Sequence, residues 1–213
     1  MEITWYGQAC FRLRDKSVSV VADPYDRNIG LKLARLTADI VTVSHQHADH
    51  NFVEGVKGEP FVISGPGEYE VKALFITGVA MWHDDQGGTK RGRNTIYLYD
   101  FADATVCHLG DLGHVPSQAQ VEELGNVDVL LVPVGGVYTI DAAKAAEVVS
   151  LIEPSIVIPM HYALPELSVK LDPLEVFLKE MGIKDPEQRE SLSVTNKQLP
   201  EETKVLILES RAG

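Results

Sequence analysis

The sequence has few of the features expected of a secreted, membrane-bound or nucleic-acid-binding protein. Its 213 residues include only two cysteines, Cys10 and Cys107, and neither has a cysteine neighbour at metal-binding spacing. Both lie in apolar, strand-like segments, so we expect two buried free thiols rather than a disulfide. Basic residues are also scarce, with 19 Lys and Arg against 31 Asp and Glu, and the formal net charge is −12. A chain this acidic repels polyanions at long range, and we expect no nucleic-acid partner.

Long apolar runs are absent as well. No stretch approaches the ~20 residues that a membrane-spanning helix needs, and Met1–Trp5 contains no basic segment followed by an apolar one. We therefore expect a cytoplasmic protein without a membrane partner, while homo-oligomerisation is left open. A chain of this length buries roughly 70% of its unfolded surface without help from a metal or a disulfide. Any bound metal is therefore expected to be functional.

The remaining pattern is that of one α/β domain. No long polar linker and no internal repeat divides the chain, so residues 1–213 are expected to form a single domain. Apolar or alternating runs bounded by Gly, Pro or Asp predict ten strands. They are Ile3–Phe11, Ser17–Ala22, Ile40–Ser44, Phe61–Ser64, Phe75–Met81, Thr95–Tyr99, Thr105–Leu109, Val127–Val134, Ile156–Met160 and Lys204–Leu208.

Helix signals are concentrated in the second half. Ser117 and Gln120 have the spacing of a capping box, and Gly125 marks the end of that helix. The other two helices are predicted from about Asp141 to Ile152, and from Asp172 as N-cap, through Pro173 and Glu175, to Gly182. Strands followed by alternating helices favour an α/β protein built on mixed sheets.

The segment richest in chemistry is the run from His45 to His50, which reads His-Gln-His-Ala-Asp-His directly after an apolar strand. It contains His45, His47, Asp49 and His50, and imidazole and carboxylate groups are preferred ligands of Zn²⁺, Mn²⁺ and Fe. Without a metal, such crowding would leave charges repelling one another or buried polar groups lacking partners. The alternative is a solvated polar loop, which we consider the weaker interpretation.

Three further metal-type side chains follow other predicted strands. His83 comes after Phe75–Met81, Asp111 after Thr105–Leu109 through Gly110, and His161 after Ile156–Met160. Open α/β sheets place their sites at the carboxyl ends of strands. These residues are therefore expected to meet the histidines of the first segment.

Other polar residues near these strand ends allow two interpretations each. Asp23, which precedes Pro24, is better interpreted as a carboxylate that orients a ligand than as a simple turn residue. His108 is either a hydrogen-bonded core histidine or an acid that lines the site. His114 either lines the cleft or is exposed, and Tyr162 either donates to a leaving group or packs in the core.

Together these motifs resemble the metallo-β-lactamase-fold hydrolases over nearly the full chain. The resemblance rests on the HxHxDH motif, Gly110-Asp111 and His161. The opening Trp5-Tyr6-Gly7-Gln8-Ala9, the Asp23-Pro24 pair and Pro159-Met160-His161-Tyr162 are most similar to the branch with ascorbate-phosphate lactonase-like and N-acyl-phosphatidylethanolamine phospholipase D-like proteins. Gln8 stands where we would expect a histidine in that branch.

The resemblance implies a four-layer αββα sandwich, two mixed β-sheets flanked by helices, with two divalent ions at one edge. Zn²⁺ is the first expectation, and Mn²⁺, Fe and Ni are the alternatives. The implied ligands are His45, His47 and His83 for one ion, Asp49, His50 and His161 for the other, and Asp111 as the bridge. We consider Asp49 and Asp111 the candidate catalytic groups, with His108 as a further candidate. Two divalent ions outweigh two carboxylates, so the site should attract anions although the whole chain is acidic.

The loop Gly87–Asn94 follows His83 and holds three cations, Lys90, Arg91 and Arg93. It is either a flexible lid that clamps an anionic substrate or a solvated hairpin loop. By contrast, Gly65-Pro66-Gly67 is not followed by a helix signal, so we interpret it as a turn rather than a phosphate loop.

Two functions fit the sequence. The first is hydrolysis of a small anionic ester, lactone or phosphodiester by a metal-bound hydroxide. The second is a metal-binding or sensing protein without significant hydrolase activity. A diiron oxidoreductase and a nuclease of the same superfamily rank lower, because the first would carry Glu in place of His47 and the second would need an inserted domain.

Overall fold

The structure of the protein is a computed structural model that describes residues 1–195 and 199–212. It consists of two large β-sheets packed face to face, with elements numbered in chain order. The six-stranded sheet has the order β15-β1-β2-β3-β5-β7. Its strands are β1 (Glu2–Trp5), β2 (Phe11–Arg14), β3 (Ser19–Ala22), β5 (Ile40–Val43), β7 (Phe61–Ser64) and β15 (Leu192–Ser193).

The eight-stranded sheet has the order β14-β16-β13-β12-β11-β10-β9-β8. Its strands are β8 (Gly67–Val71), β9 (Leu74–Trp82), β10 (Arg93–Phe101), β11 (Ala104–His108), β12 (Val129–Pro133), β13 (Ile156–Met160), β14 (Glu187–Arg189) and β16 (Lys204–Leu208). Strands β8 to β11 are antiparallel, and the sheet is parallel from β11 onward. A small parallel pair, β4 (Leu36–Thr37) with β6 (Val56–Lys57), completes the strands.

Continuous apolar sequence explains the central strands. β5, β12 and β13 are buried at every position, as expected for parallel strands covered on both faces. The core between the sheets includes Trp5 and Phe11 from one sheet and Tyr97 and Tyr99 from the other. This packing confirms the predicted sandwich of two mixed sheets.

The outer layers differ from one another. Helices α1 (Gln118–Leu124), α2 (Ala142–Ile152) and α3 (Leu174–Glu180) all come from the second half of the chain. The buried face of α2 joins the main core beside β12. Over the six-stranded sheet the cover consists of loops with two 3₁₀ turns, Arg27–Ile29 and Val53–Gly55, which pack on a second apolar cluster. No helix in the described part of the chain is long and apolar enough to cross a membrane.

The helix ends follow local chemistry in two cases out of three. The Ser117–Gln120 capping box of α1 is present, and the Asp141 carboxylate accepts a hydrogen bond from the Lys144 N–H at the start of α2. The prediction of Asp172 as the cap of α3 is wrong. Its backbone is bonded to Gly135 on one side and Ala163 on the other, so the helix starts later and Pro173 is the cap residue.

The prediction of one strand over Ile3–Phe11 is also wrong. The segment is a hairpin, because the chain reverses between β1 and β2. Gly7 and Gln8 both have left-handed backbones, with φ of 90° and 50°, and the Tyr6 N–H donates to the Cys10 carbonyl at 2.8 Å. Cys10 and Cys107 are free and buried, as predicted.

Candidate metal centre

The candidate site lies where five strands of the two sheets end. β3 and β5 of the six-stranded sheet and β9, β11 and β13 of the eight-stranded sheet all deliver polar residues just beyond their carboxyl ends. β9, β11 and β13 run in the same direction, so their ends meet at one edge of the sheet. The spacing of each predicted ligand after its strand therefore determines its position.

The structure brings all seven predicted ligands together. Three groups of ligand atoms each lie within 4.8 Å of one another. The groups are His45, His47 and His83; Asp49, His50 and His161; and, between them, His45, His50 and Asp111. The first two groups are those expected for two separate ions, and Asp111 lies where a bridging carboxylate was expected.

Asp111 stands at the centre of the cluster. Its Oδ1 lies 3.3 Å from Nε2 of both His50 and His161, and its Oδ2 lies 3.3 Å from Nε2 of His83. The preceding Gly110 has a φ of 54°, and a Cβ there would come within 2.4 Å of Asn94 Oδ1. Only glycine fits this approach, which is why Gly-Asp follows the strand.

Asn94 sets the backbone that carries Asp111. Its Oδ1 accepts a hydrogen bond from the Asp111 N–H at 2.9 Å, and its Nδ2 donates to the Leu109 carbonyl at 2.9 Å. The side chain is completely buried. Sequence reasoning missed this role because Asn94 is distant in sequence from the strand that it supports.

Asp23 orients two of the histidines. Its Oδ2 accepts from His50 Nδ1 at 2.8 Å and from Ser44 Oγ at 2.5 Å, and its Oδ1 accepts from the Ser44 N–H at 2.8 Å. Because the Ser44 hydroxyl donates to Asp23, it accepts from His45 Nδ1 at 2.9 Å. This network places a ring proton on Nδ1 of both histidines and directs both Nε2 atoms at the centre.

Gln8 holds Asp49 from the other side. Its Nε2 donates to Asp49 Oδ2 at 2.9 Å, and its backbone carbonyl accepts from the His161 N–H at 3.1 Å. Gln8 is fully buried, and its Oε1 has no partner among the described residues. The sequence identified Gln8 only as a substitution for histidine and gave no signal of this contact, which spans 41 positions.

The donor atoms fit divalent cations. Nε2 of His45, Nε2 of His50 and Oδ1 of Asp111 are buried without a hydrogen-bond partner in the described part of the chain, and buried polar atoms left in that state are costly. Burial and the neighbouring His50 lower the pKa of His45 to about 3, so its lone pair is free. Burial also lowers the pKa of His50, but Asp111, Asp23 and Asp49 outweigh it and hold the value well above the ordinary one. The three carboxylates therefore favour positive charge at the centre, and a bound divalent cation would supply it.

Three other candidates lie outside the site. His108 is fully buried, its Nε2 bonds the Ala9 carbonyl at 2.8 Å, and its Nδ1 accepts from the Gly110 N–H at 3.0 Å. Both ring nitrogens are used, so His108 is a core histidine and not the site-lining acid we considered. His114 Nε2 accepts a hydrogen bond from the Trp82 N–H. Tyr162 is buried, with its ring centre 5.1 Å from that of Trp5. Neither lines the cleft.

The cluster opens into a cavity of about 480 Å³, a size typical of small-molecule sites. Its polar floor consists of His47, Asp49, His83, Asp111 and His161. The walls are Ile29, Ala48, Tyr138, Val169 and Arg91. Among the described residues Arg91 is the only Lys or Arg side chain in this lining.

The loop after His83 is held by a single carboxylate. Asp84 Oδ1 accepts from the N–H groups of Gln86 and Gly88, and Oδ2 from those of Lys90 and Arg91, all at 2.8 to 2.9 Å. Burial raises the pKa of Asp84, but these four backbone donors outweigh it and lower the value to about 2. The loop is thus pinned rather than free.

Pinning leaves Arg91 at the mouth of the cleft. Its guanidinium donates to the Val137 carbonyl at 3.2 Å and stacks 5.2 Å from the centre of the Tyr138 ring. Lys90 is absent from the cleft lining, and Arg93 lines a neighbouring cavity instead. Of the three cations in the predicted lid, only Arg91 therefore faces the metal cleft.

Comparisons with known proteins agree with this geometry. The sequence matches the beta-lactamase superfamily domain over residues 2–161. A UPF0173 metal-dependent hydrolase of Methanopyrus kandleri is 29% identical, with 86% of this chain and 94% of that protein covered. One of Archaeoglobus fulgidus is 30% identical, with 76% of this chain and 83% of that protein covered.

Solved structures show the same relationship. A candidate Zn-dependent hydrolase of the metallo-β-lactamase superfamily from Thermotoga maritima has a TM-score of 0.83 and 41% identity, and 99% of both chains is covered. An isothiocyanate hydrolase from Delia radicum gut bacteria has a TM-score of 0.68 at 14% identity, with 92% of this chain and all of that chain covered, and shares the fold alone. The protein belongs to the metallo-β-lactamase superfamily.

Proposed function

We propose that this protein is a metal-dependent hydrolase that binds two divalent ions and cleaves a small anionic ester, lactone or phosphodiester. The observation that carries the proposal is a cluster of seven metal-type ligands, five of which line a 480 Å³ cavity that also includes one arginine. A site built only to hold or sense an ion would not need a cavity of substrate size beside the ligands. The relatives named metal-dependent hydrolases support the same class.

Divalent ions held by the two trios would lower the pKa of a bound water to roughly 7 and polarise a carbonyl or phosphoryl oxygen. The protein's own groups do the rest. Arg91 binds the anionic group of the substrate through guanidinium N–H donors that Val137 leaves free. The apolar walls, Ile29 and Val169 among them, exclude water from the rest of the cavity.

Asp49 is the group that we assign to proton handling. It is the one carboxylate of the cluster that is only partly buried, with a side chain 22% exposed to solvent, whereas that of Asp111 is 3% exposed. Gln8 holds one Asp49 oxygen, so the carboxylate keeps a fixed orientation toward the cleft. A carboxylate in this position can accept a proton from the attacking water and return it to a leaving group.

Hydrolysis assays with metal-loaded protein test the proposal. We expect turnover of at least one phosphodiester, lactone or thioester, and Asp111→Asn should abolish most of it while the protein stays folded. Asp100→Asn, at an exposed position at the far end of β10, is the matched control and should retain full activity. Tight metal binding with no turnover across the panel would favour the sensing function instead.

A further inference from the structure

A second cavity of about 330 Å³ lies beside the metal cleft. The two cavities share His47 and Arg91, so they adjoin across the edge of the first ligand trio. The second cavity continues between the loop that follows β5 and the end of β7 at Ser64, with Gly65 and Pro66 beyond it. Its remaining charged side chain is Arg93, at the start of β10.

The charge of this cavity contrasts with that of the molecule. The chain carries 31 acidic residues against 19 basic ones, yet the residues lining this cavity include two arginines and no Asp or Glu. Neither Arg91 nor Arg93 forms an ion pair with any carboxylate in ranges 1–195 and 199–212. Unpaired guanidinium groups in an acid-free cavity favour an anionic ligand.

The backbone that carries both arginines is held by hydrogen bonds and strand pairing. The Arg91 N–H donates to Asp84, and the Gly92 carbonyl accepts from the His83 N–H at 3.1 Å. Arg93 pairs with Trp82 across β10 and β9, and its guanidinium lies 5.9 Å from the centre of the Trp82 ring. A guanidinium over an aromatic ring keeps its N–H groups free to donate to a ligand.

We propose that this second cavity is a subsite for a carboxylate or phosphate tail of the substrate, bound by Arg93. The preferred substrate then has two anionic groups, one near Arg91 and the metal centre and one at the far end of the molecule. The part of this inference that identifies the bound molecule as a substrate rests on the proposed function. The subsite itself is tested by binding, without turnover.

Calorimetric titration of metal-loaded protein with glutarate and with butyrate tests the subsite. The two probes have similar length and differ by one carboxylate. We expect glutarate to bind roughly tenfold more tightly than butyrate, a factor that corresponds to about 1.4 kcal/mol. Arg93→Gln should remove this advantage and leave butyrate affinity unchanged, whereas Arg93→Lys should retain part of it. A titration with 3-phosphonopropionate distinguishes a phosphate-selective subsite from a carboxylate-selective one.

Lys90→Gln is the matched control, because it removes a cation from the same loop outside both cavity linings. The proposal is overturned if glutarate shows no advantage, if Arg93→Gln weakens both probes alike, or if Lys90→Gln has the same effect. Selective loss in Arg93→Gln together with no hydrolysis of any ester would preserve the subsite and refute the hydrolase. Hydrolysis of an ester without a selective loss of glutarate binding in Arg93→Gln would refute the subsite alone.

Discussion

At the scale of single residues, the centre is organised by side chains that hold its ligands. Asp23 accepts three hydrogen bonds, two from Ser44 and one from His50, in a fully buried position. Its own backbone has a φ of 45°, which is uncommon for a residue other than glycine. A left-handed backbone at this position indicates that the surroundings, rather than local preference, fix the carboxylate.

Asp23→Asn should weaken metal binding or lower the rate by roughly 10 to 100-fold without changing the number of ions bound. An amide replaces one carboxylate oxygen with an NH₂ donor. That donor faces either the Ser44 N–H or both the His50 Nδ1–H and the Ser44 hydroxyl, so at least one of the three hydrogen bonds is lost and the network that orients the His50 ring is weakened. Metal affinity measured by calorimetry gives the first readout, with Asp100→Asn as control. Loss of one whole ion per chain would instead make Asp23 a ligand.

Gln8→Met tests the contact with Asp49 in the same way. The substitution keeps most of the side-chain volume and removes the donor, while the backbone carbonyl that accepts from His161 is untouched. We expect roughly tenfold weaker binding of one of the two ions and little change for the other. Gln118→Met, on the surface of α1, controls for the added methionine. Two unchanged affinities would show that Asp49 needs no such support.

At the scale of elements, the sequence predicts where the ligand-bearing strands end. It does not predict which other residues hold the ligands in place. β7, β13 and β16 begin and end as the sequence predicted, because each is a short, mainly apolar run with turn-forming residues near its ends. β8 was missed because Gly67–Val71 is mostly polar and largely exposed, and it is held by pairing with β9. An edge strand of this kind has little local signal.

The same distinction applies to the candidate site. The seven ligands follow strands directly, so their convergence could be inferred from the sequence. The contacts of Gln8 with Asp49 and of Asn94 with Asp111 join residues 41 and 17 positions apart. The pattern of apolar and polar residues along the sequence gives no information about such contacts. The pinning of the loop by Asp84 is local, but the three cations in the sequence are equally typical of a mobile lid and of a solvated loop, and they give no sign of the four backbone hydrogen bonds.

Asp84→Asn should loosen this loop. The amide NH₂ would face backbone N–H donors, so at least one pair of the four hydrogen bonds is lost. We expect hydrogen exchange of the amides at 86, 88, 90 and 91 to accelerate by at least roughly tenfold. KM for an anionic substrate should rise more than KM for a neutral one, because Arg91 loses its fixed position.

Asp85→Asn provides the control for that experiment, since Asp85 is the exposed neighbour and its carboxylate forms one long ion pair within the described residues, 3.7 Å from Lys144 Nζ. Equal exchange rates in the two variants would contradict the role of Asp84. An equal rise in KM for both substrates would show that Asp84 orders the loop but that the ordered loop does not contribute specifically to anion binding.

At the scale of the whole molecule, the size of the core leads us to expect that the protein folds without metal. The two sheets and α2 share one apolar core whose members are mostly inaccessible to solvent. We expect elemental analysis to reach two ions per chain after loading. Saturation at one ion per chain would refute the binuclear centre.

Metal removal should lower the unfolding temperature without unfolding the protein at 25 °C. Ions that bind only the folded state stabilise it by mass action, while the core remains intact without them. Calorimetry of the chelator-treated protein should show one cooperative transition at a lower temperature, as a single domain over residues 1–213 predicts. Two separated transitions would instead indicate two independent units.

The Asp84 loop has a further consequence for how this protein can change over time. All four donors to Asp84 are main-chain amides, so the shape of the loop does not depend on most of the side chains that it carries. Gly88 is an exception, because a Cβ there would approach the Trp82 ring to 2.5 Å. Positions 90 and 91 can therefore be exchanged on a constant frame. A lineage could acquire a new ligand preference by point substitution at such positions while the metal centre beneath stays as it is.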